Sequence, residues 1–288
     1  MNAFEFCDGI SAIADRHDAF LIDAWGVLHD GTAAYPGAVE CLQQLRSHGK
    51  QIIILSNAAR RSNDVAAEMQ PLGITPAHFD HVVSSGELAW QALKAKDDAF
   101  HSALGRKCFY LGPRRSQGLL DGLDLIQVDD VKQASFILNA GAQGDSDSTE
   151  SHQALLESAA AQGLPMVCAN PDLAAIRAGI RGISAGALAK RYEEVGGRVR
   201  YHGKPHADIY QACFDWLNGP PKERVLAIGD AVRTDIAGAV ASGIHSAFVV
   251  CGIHLDRLGS PAPTSAQLSQ LFKEQGCWPN LVIPMLSW

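Results

Sequence analysis

An α/β fold with parallel strands is what this sequence predicts, and two observations predict it. Short apolar, often β-branched runs alternate with segments of helical spacing along most of the chain. Several of those runs stop abruptly in Asp, Ser, Asn or Gly, as buried strands do where they enter turns. Alternation of this kind implies right-handed βαβ units and a parallel sheet.

The elements follow in order. Ile10 to Arg16 reads as a short helix. Phe20-Leu21-Ile22 is a buried strand that breaks into Asp23-Ala24-Trp25-Gly26. Ala38 to His48 places Val39, Leu42 and Leu45 on one helical face, with Gly49 as a stop. Gln51 to Leu55 is a β-branched strand ending in Ser56-Asn57. Ser62 to Gln70 is helical, Val82-Val83 is a strand, and Glu87 to Ala95 is a helix. Further strands are expected at 107–113, 135–139 and 165–169, with a polar, Gly-rich loop at 141–149 and a helix from Ser151 to Gln162. Asn170-Pro171-Asp172 then reads either as a ligand-reading turn or as a cap for a helix from Leu173 to Ala178. The last third has a strand before Gly203-Lys204-Pro205 and a helix from Ala207 to Leu217. A strand from Arg224 ends in Gly229-Asp230, a helix runs from Ile236 to Ser242, and a strand covers Ser246 to Val250. An amphipathic helix from Ala266 to Glu274 follows.

Composition narrows the function. The chain has 288 residues, 47% hydrophobic and 19% charged, enough to bury a large core or two smaller ones. A formal charge of −7 lacks the basic footprint that nucleic acid requires. Seven scattered cysteines without CxxC spacing argue against a zinc site or disulfide framework and for a reducing cytoplasm. No apolar run is long enough to span a membrane, and the acidic N-terminal stretch does not read as a signal peptide.

Four strand ends carry polar groups: Asp23, Ser56-Asn57, Lys204, and Asp230 with Asp235. A parallel sheet can gather such ends at one edge. A carboxylate there can attack phosphorus and hold a covalent phosphoryl group. Lys204, the Ser56 hydroxyl and backbone N–H groups can offset phosphoryl charge. Asp23 and Asp230 supply the oxygen ligands that Mg²⁺ prefers. On local grounds alone, Ser56-Asn57 could also cap the next helix, and Asp235 could cap the helix from Ile236.

Asp23-Ala24-Trp25-Gly26-Val27-Leu28, Ser56-Asn57, Gly203-Lys204-Pro205 and Gly229-Asp230 with Thr234-Asp235 resemble, in order, the four motifs of the haloacid dehalogenase superfamily. The insert bearing Asn170-Pro171-Asp172 resembles its class IIA branch, which includes phosphatases of small phosphate esters. The resemblance implies a Rossmann-like, doubly wound core from 1–86 and 188–288, with an inserted α/β cap at 87–187. It implies Asp23 as nucleophile, Ser56 and Lys204 on the phosphoryl group, and Asn57, Asn170, Pro171 and Asp172 toward the substrate. Mg²⁺ would be held by Asp23, the Trp25 backbone carbonyl and Asp230, with Asp235 ordering that shell. A small phosphorylated metabolite is the expected partner, and caps of this branch often take part in homodimers, which leaves the oligomeric state open.

One position departs from the pattern. Family phosphatases usually carry a second Asp two residues after the nucleophile, as general acid and base, and here that position is Trp25. Indole has one N–H donor and no usable pKa. Asp30 and His29 are the nearby groups that could substitute. Dehalogenases of the superfamily carry an aromatic residue there and need no metal, so carbon–halogen hydrolysis is the alternative reaction. A phosphate-ligand binder with little turnover is the alternative outside catalysis.

Overall fold

The structure, a computed structural model, describes residues 4–144, 147–177 and 180–288. Its strands, in chain order, are β1 (Glu5–Phe6), β2 (Ala19–Ile22), β3 (Gln51–Ser56), β4 (His81–Ser84), β5 (Lys107–Leu111), β6 (Ile126–Val128) and β7 (Phe136–Asn139). Then come β8 (Pro165–Cys168), β9 (Ala174–Arg177), β10 (Ile180–Ile183), β11 (Arg198–Tyr201), β12 (Val225–Gly229), β13 (His245–Val249) and β14 (Leu281–Ile283). The chain divides into two compact units. One comprises Met1–Ser56, Ala66–Val83 and Lys204–Trp288, and the other Asn57–Val65 and Ser84–Gly203.

The first unit is built on the sheet β1-β14-β13-β12-β2-β3-β4. Pairing is parallel from β1 through to β3. Every residue of β2 and β12 is buried, which is why both read as unbroken apolar runs rather than alternating ones. From β2 the chain steps outward to β3 and β4, then returns on the other flank of β2 as β12. That reversal between β2 and β12 is the topological switch, where an open parallel sheet leaves a crevice at its carboxyl ends. Asp23 follows β2, Asp230 follows β12 and Ser56 ends β3.

The second unit has its own parallel sheet, β11-β8-β7-β5-β6, and an antiparallel hairpin of β9 and β10. It runs past the expected boundary at 187, because Leu188, Ala189 and Tyr192 of the helix Ala185–Glu194 pack with Met166 and Cys168 of β8, and β11 pairs with β8. It also takes in residues 57–65, which lie inside the expected core segment 1–86.

Two other expectations change. The 10–16 helix is two 3₁₀ turns, Ile10–Ala12 and Ala14–Arg16. The segment after Asp172 is the strand β9, with Ile180↔Arg177 and Ile183↔Ala174 in register with β10. Leu173, Ile176, Ile180 and Ile183 have helix-like spacing, but β-branched residues and Gly182 favour the extended pairing. Ala178, and residues 145 and 146 of the expected loop, lie outside the described residues. Among the described residues no helix is long and apolar enough to cross a membrane. All seven cysteines are free thiols.

The amino-terminal side of the same sheet carries a titratable pair. His17 is buried, with Nδ1 3.1 Å from the Ile13 carbonyl and Nε2 2.9 Å from His245 Nδ1. Burial pushes its pKa down to about 4. The unfolded chain takes up this proton near pH ~6.5, so stability is complete above that pH and falls as pH drops toward the folded value. The expected loss is up to about 3 kcal/mol, read as a fall in urea midpoint between neutral pH and pH ~4 that is smaller in His17→Phe.

Candidate active site

The buried strand β2 fixes the backbone of Asp23, whose N–H donates to the Ile228 carbonyl at 2.9 Å. Lys204 arrives from the far end of the chain, and its side chain is almost wholly buried. Its Nζ donates to Asp23 Oδ1 at 2.6 Å and to the Leu55 carbonyl at 2.9 Å, and stands 2.7 Å from Asp235 Oδ1. Three acceptors for the three N–H groups of an ammonium hold it in one place. Asp235 is not a helix cap. It lies inside the π-helical turn Val232–Ile236, where its Oδ2 accepts the Ala231 N–H at 3.0 Å.

Asp230 completes the cluster. Its Oδ2 accepts the Ile253 N–H at 2.6 Å. Two glycines make room for it: a Cβ on Gly26, at φ +80°, or on Gly252 would stand 2.0 Å from Asp230 Oδ2. Gly229 leaves similar room for Asp235, whose Cγ would lie 2.1 Å from an added Cβ. Any side chain at these positions would push a carboxylate aside.

The charges decide what the cluster can hold. Carboxylate oxygens of Asp23, Asp230 and Asp235 lie within 4.8 Å of one another, all buried. With Lys204 as the cation between them, two negative charges stay uncompensated, which matches one divalent ion. Burial first, then the neighbouring Asp23 and Asp235, raises the Asp230 pKa well above the usual carboxylate range. A hard oxygen-liganded dication fits this donor set. Removing Lys204 should leave a buried carboxylate pair facing itself. In chelator, Lys204→Met is expected to lose about 3–5 kcal/mol in urea unfolding.

Trp25 packs into the turn that follows. Its ring meets His29 edge-on at 5.1 Å, and a Cβ on Gly31, at φ +90°, would fall 2.2 Å from Trp25 Cη2. Asp30 is committed to that turn: Oδ1 accepts from Thr32 Oγ1 at 2.6 Å, Thr32 N at 2.8 Å and Ala33 N at 2.9 Å. These bonds, the Thr32 hydroxyl foremost, push its pKa down to about 2. A carboxyl this acidic holds no proton to donate at neutral pH. His29 is buried, and its Nδ1 accepts the Gly31 N–H at 3.1 Å.

The structure therefore brings Asp23, Lys204, Asp230 and Asp235 together, with Ser56 buried at the end of β3 beside Leu55. Asn57 and the Asn170-Pro171-Asp172 turn meet one another within the second unit: Asn57 Nδ2 donates to Asp172 Oδ1 at 2.9 Å. Gly252 and Ile253 are contributors that the sequence reading missed. Their signal was the familiar one, a strand (β13) followed at once by a glycine-bearing turn.

The sequence profile of the haloacid dehalogenase-like hydrolases matches residues 20–126, and a HAD-hydrolase-like profile matches 201–271. The two spans contain every member of the cluster. A crystal structure of a haloacid dehalogenase-like hydrolase from Brucella suis superposes with a TM-score of 0.84 at 30% identity, over 97% of this chain and 99% of that one. This chain belongs to the haloacid dehalogenase-like hydrolase family.

Within that family, the D-glycerol 3-phosphate phosphatase of Mycobacterium tuberculosis is 30% identical over 249 residues, 85% of this chain and 66% of that enzyme. The chain thus spans about two thirds of that relative's length. A glycerol phosphate phosphatase from the same organism, crystallised in complex with magnesium, superposes with a TM-score of 0.64 at 25% identity, over 84% of this chain and 70% of that one. The class IIA resemblance read from the motifs agrees with these relatives.

Proposed function

We propose that this family member is a divalent-metal-dependent phosphomonoester hydrolase acting on a small phosphorylated metabolite, with Asp23 as nucleophile. The observation that carries the reading is Lys204, held between Asp23 and Asp235 beside the crowded Asp230 carboxylate. A buried carboxylate beside a fixed ammonium suits in-line attack on an anion.

Asp23 attacks phosphorus, the bond to the ester oxygen breaks, and an aspartyl-phosphate forms while the leaving oxygen takes a proton from solvent water. Water then attacks the phosphorus, the bond to Asp23 breaks, and inorganic phosphate leaves. Lys204 Nζ faces the phosphoryl charge throughout, and Ser56 Oγ donates to a phosphoryl oxygen. Asp235 keeps Lys204 in place. Mg²⁺, bound by Asp23, the Trp25 carbonyl and Asp230, would lower the repulsion between an anionic nucleophile and an anionic ester. The magnesium bound in the mycobacterial relative supports the choice of ion. The second unit takes the family's cap role, selecting the leaving group.

Release of inorganic phosphate from a panel of phosphomonoesters, with Mg²⁺ and with EDTA, tests the proposal. Metal-dependent release is expected. Release indifferent to EDTA, or none from any ester, would overturn it, and metal-free halide release from a haloacid would install the alternative reaction.

A further inference from the structure

The Asn170-Pro171-Asp172 turn lies in a packed knot of turns within the second unit. Asp172 Oδ1 accepts from Asn57 Nδ2 at 2.9 Å, and the Asp172 N–H donates to Asn170 Oδ1 at 2.8 Å, which closes the turn on itself. The Gly186 N–H donates to the Asp172 carbonyl at 3.0 Å, and a Cβ on Gly186 would stand 2.2 Å from the Pro171 carbonyl oxygen. The turn is thereby pressed against the first residues of the helix Ala185–Glu194.

Asn57 is held from a second side. Its carbonyl accepts from Ser85 Oγ at 3.1 Å, the same hydroxyl donates to the Ala169 carbonyl, and Gly86 N–H donates to the Ala58 carbonyl at 3.1 Å. Gly203 is wedged into the same knot. At φ +116°, a Cβ there would lie 2.6 Å from Asn57 Oδ1, 2.6 Å from Ser85 Cβ and 2.8 Å from Pro171 Cδ. Asn57 follows Ser56 directly and Gly203 precedes Lys204 directly. One cluster therefore fixes the neighbours of two residues assigned to the phosphoryl group.

We infer that Asp172 is a positioning residue: through Asn57 it sets the Ser56-Asn57 peptide for phosphoryl binding, and it does not read the leaving group. The inference rests on the phosphatase reading of Ser56 and Lys204. Its physical basis is that a phosphoryl site tolerates displacements of only about 0.5 Å, so the half-buried amide–carboxylate bond next to Ser56 matters to affinity. The hydrogen bond from Asn57 Nδ2 to Asp172 Oδ1 orients the Asn57 side-chain amide.

The test measures affinity for orthophosphate by calorimetry in Mg²⁺, together with kcat/KM on several esters. Asp172→Ala is expected to weaken orthophosphate binding roughly tenfold, the effect of losing one hydrogen bond to an ionised group. It should lower kcat/KM by the same factor for every ester. Asp172→Asn, whose Oδ1 still accepts, should restore most of the loss. Asn57→Ala combined with Asp172→Ala should lose no more than the larger single effect. Should Asp172→Ala fail to fold, Asp172→Glu keeps the charge, moves the acceptor by one methylene and should show the same uniform loss. A loss that differs between esters would overturn the inference, because it would place Asp172 on the leaving group. Equal orthophosphate affinity in wild type and variants, including none in either, would also overturn it. An inactive wild type that still binds orthophosphate would count against the phosphatase reading, and the variants' affinities would then decide on Asp172 separately.

Discussion

Asp23→Asn should release no inorganic phosphate from esters that the wild type hydrolyses in Mg²⁺, a loss on the order of 10⁴–10⁶ in kcat. The amide has no nucleophilic oxygen able to form a stable phosphoryl bond. Its oxygen still accepts from Lys204, which also keeps Asp235 and the Leu55 carbonyl, so the fold should survive. The substitution also removes one carboxylate facing Asp230, the first charged neighbour that raises its pKa. In EDTA, then, the variant should melt no earlier than wild type while binding Mg²⁺ more weakly. A colorimetric phosphate assay and a circular-dichroism melt on the same preparation check both halves. An active Asp23→Asn would remove the nucleophile from the proposal.

The second large effect is a gain. Trp25 offers no acid or base, Asp30 is locked as a carboxylate in its turn, and His29 has its Nδ1 engaged by Gly31. The leaving oxygen must then depart without a side-chain proton donor at position 25. Wild type should favour aryl over alkyl esters steeply, and phosphoenzyme should accumulate because the attacking water lacks a base. Trp25→Asp is expected to raise kcat on alkyl esters by ~10²–10⁴, the usual worth of general acid–base help. Steady-state rates and acid-quenched phosphoenzyme measured across both ester classes test this. An unchanged rate in a folded Trp25→Asp would show that another group already supplies the proton.

The outcome at each residue explains what could be read in advance. Strands buried on both faces, such as β2, β3 and β12, announce themselves as apolar runs, and a polar residue at each end marks the site. Asp23 and Asp230 were legible for that reason, whereas Lys204 follows the partly exposed β11 and was legible from Gly203-Lys204-Pro205, and Asp235 from its place after Asp230. What escaped depended on partners far along the chain. The hairpin of β9 and β10 hid behind helix-like spacing, since periodicity cannot distinguish a helix from two paired strands when isoleucines happen to fall three and four apart. The edge strand β1 and its neighbour β14 are too short to show a period. The hydrogen bond between Asn57 and Asp172 was hidden because the two residues sit on different turns far apart in the chain. Asp30 was readable only through Thr32 and Ala33, whose N–H groups claim it.

The sheet order has a consequence for biogenesis. The central strand β2 pairs Ala19 with Val225 of β12, so its second flank is filled by residues from the last third of the chain. The sheet of the second unit draws all five strands from the contiguous segment between β5 and β11. During synthesis that sheet has all its strands available while β2 still presents an open edge. The carboxylate of Asp23 emerges early, and its ammonium partner Lys204 emerges only after the whole of the second unit. The ion pair of Asp23 with Lys204 therefore forms only after the second unit has been translated.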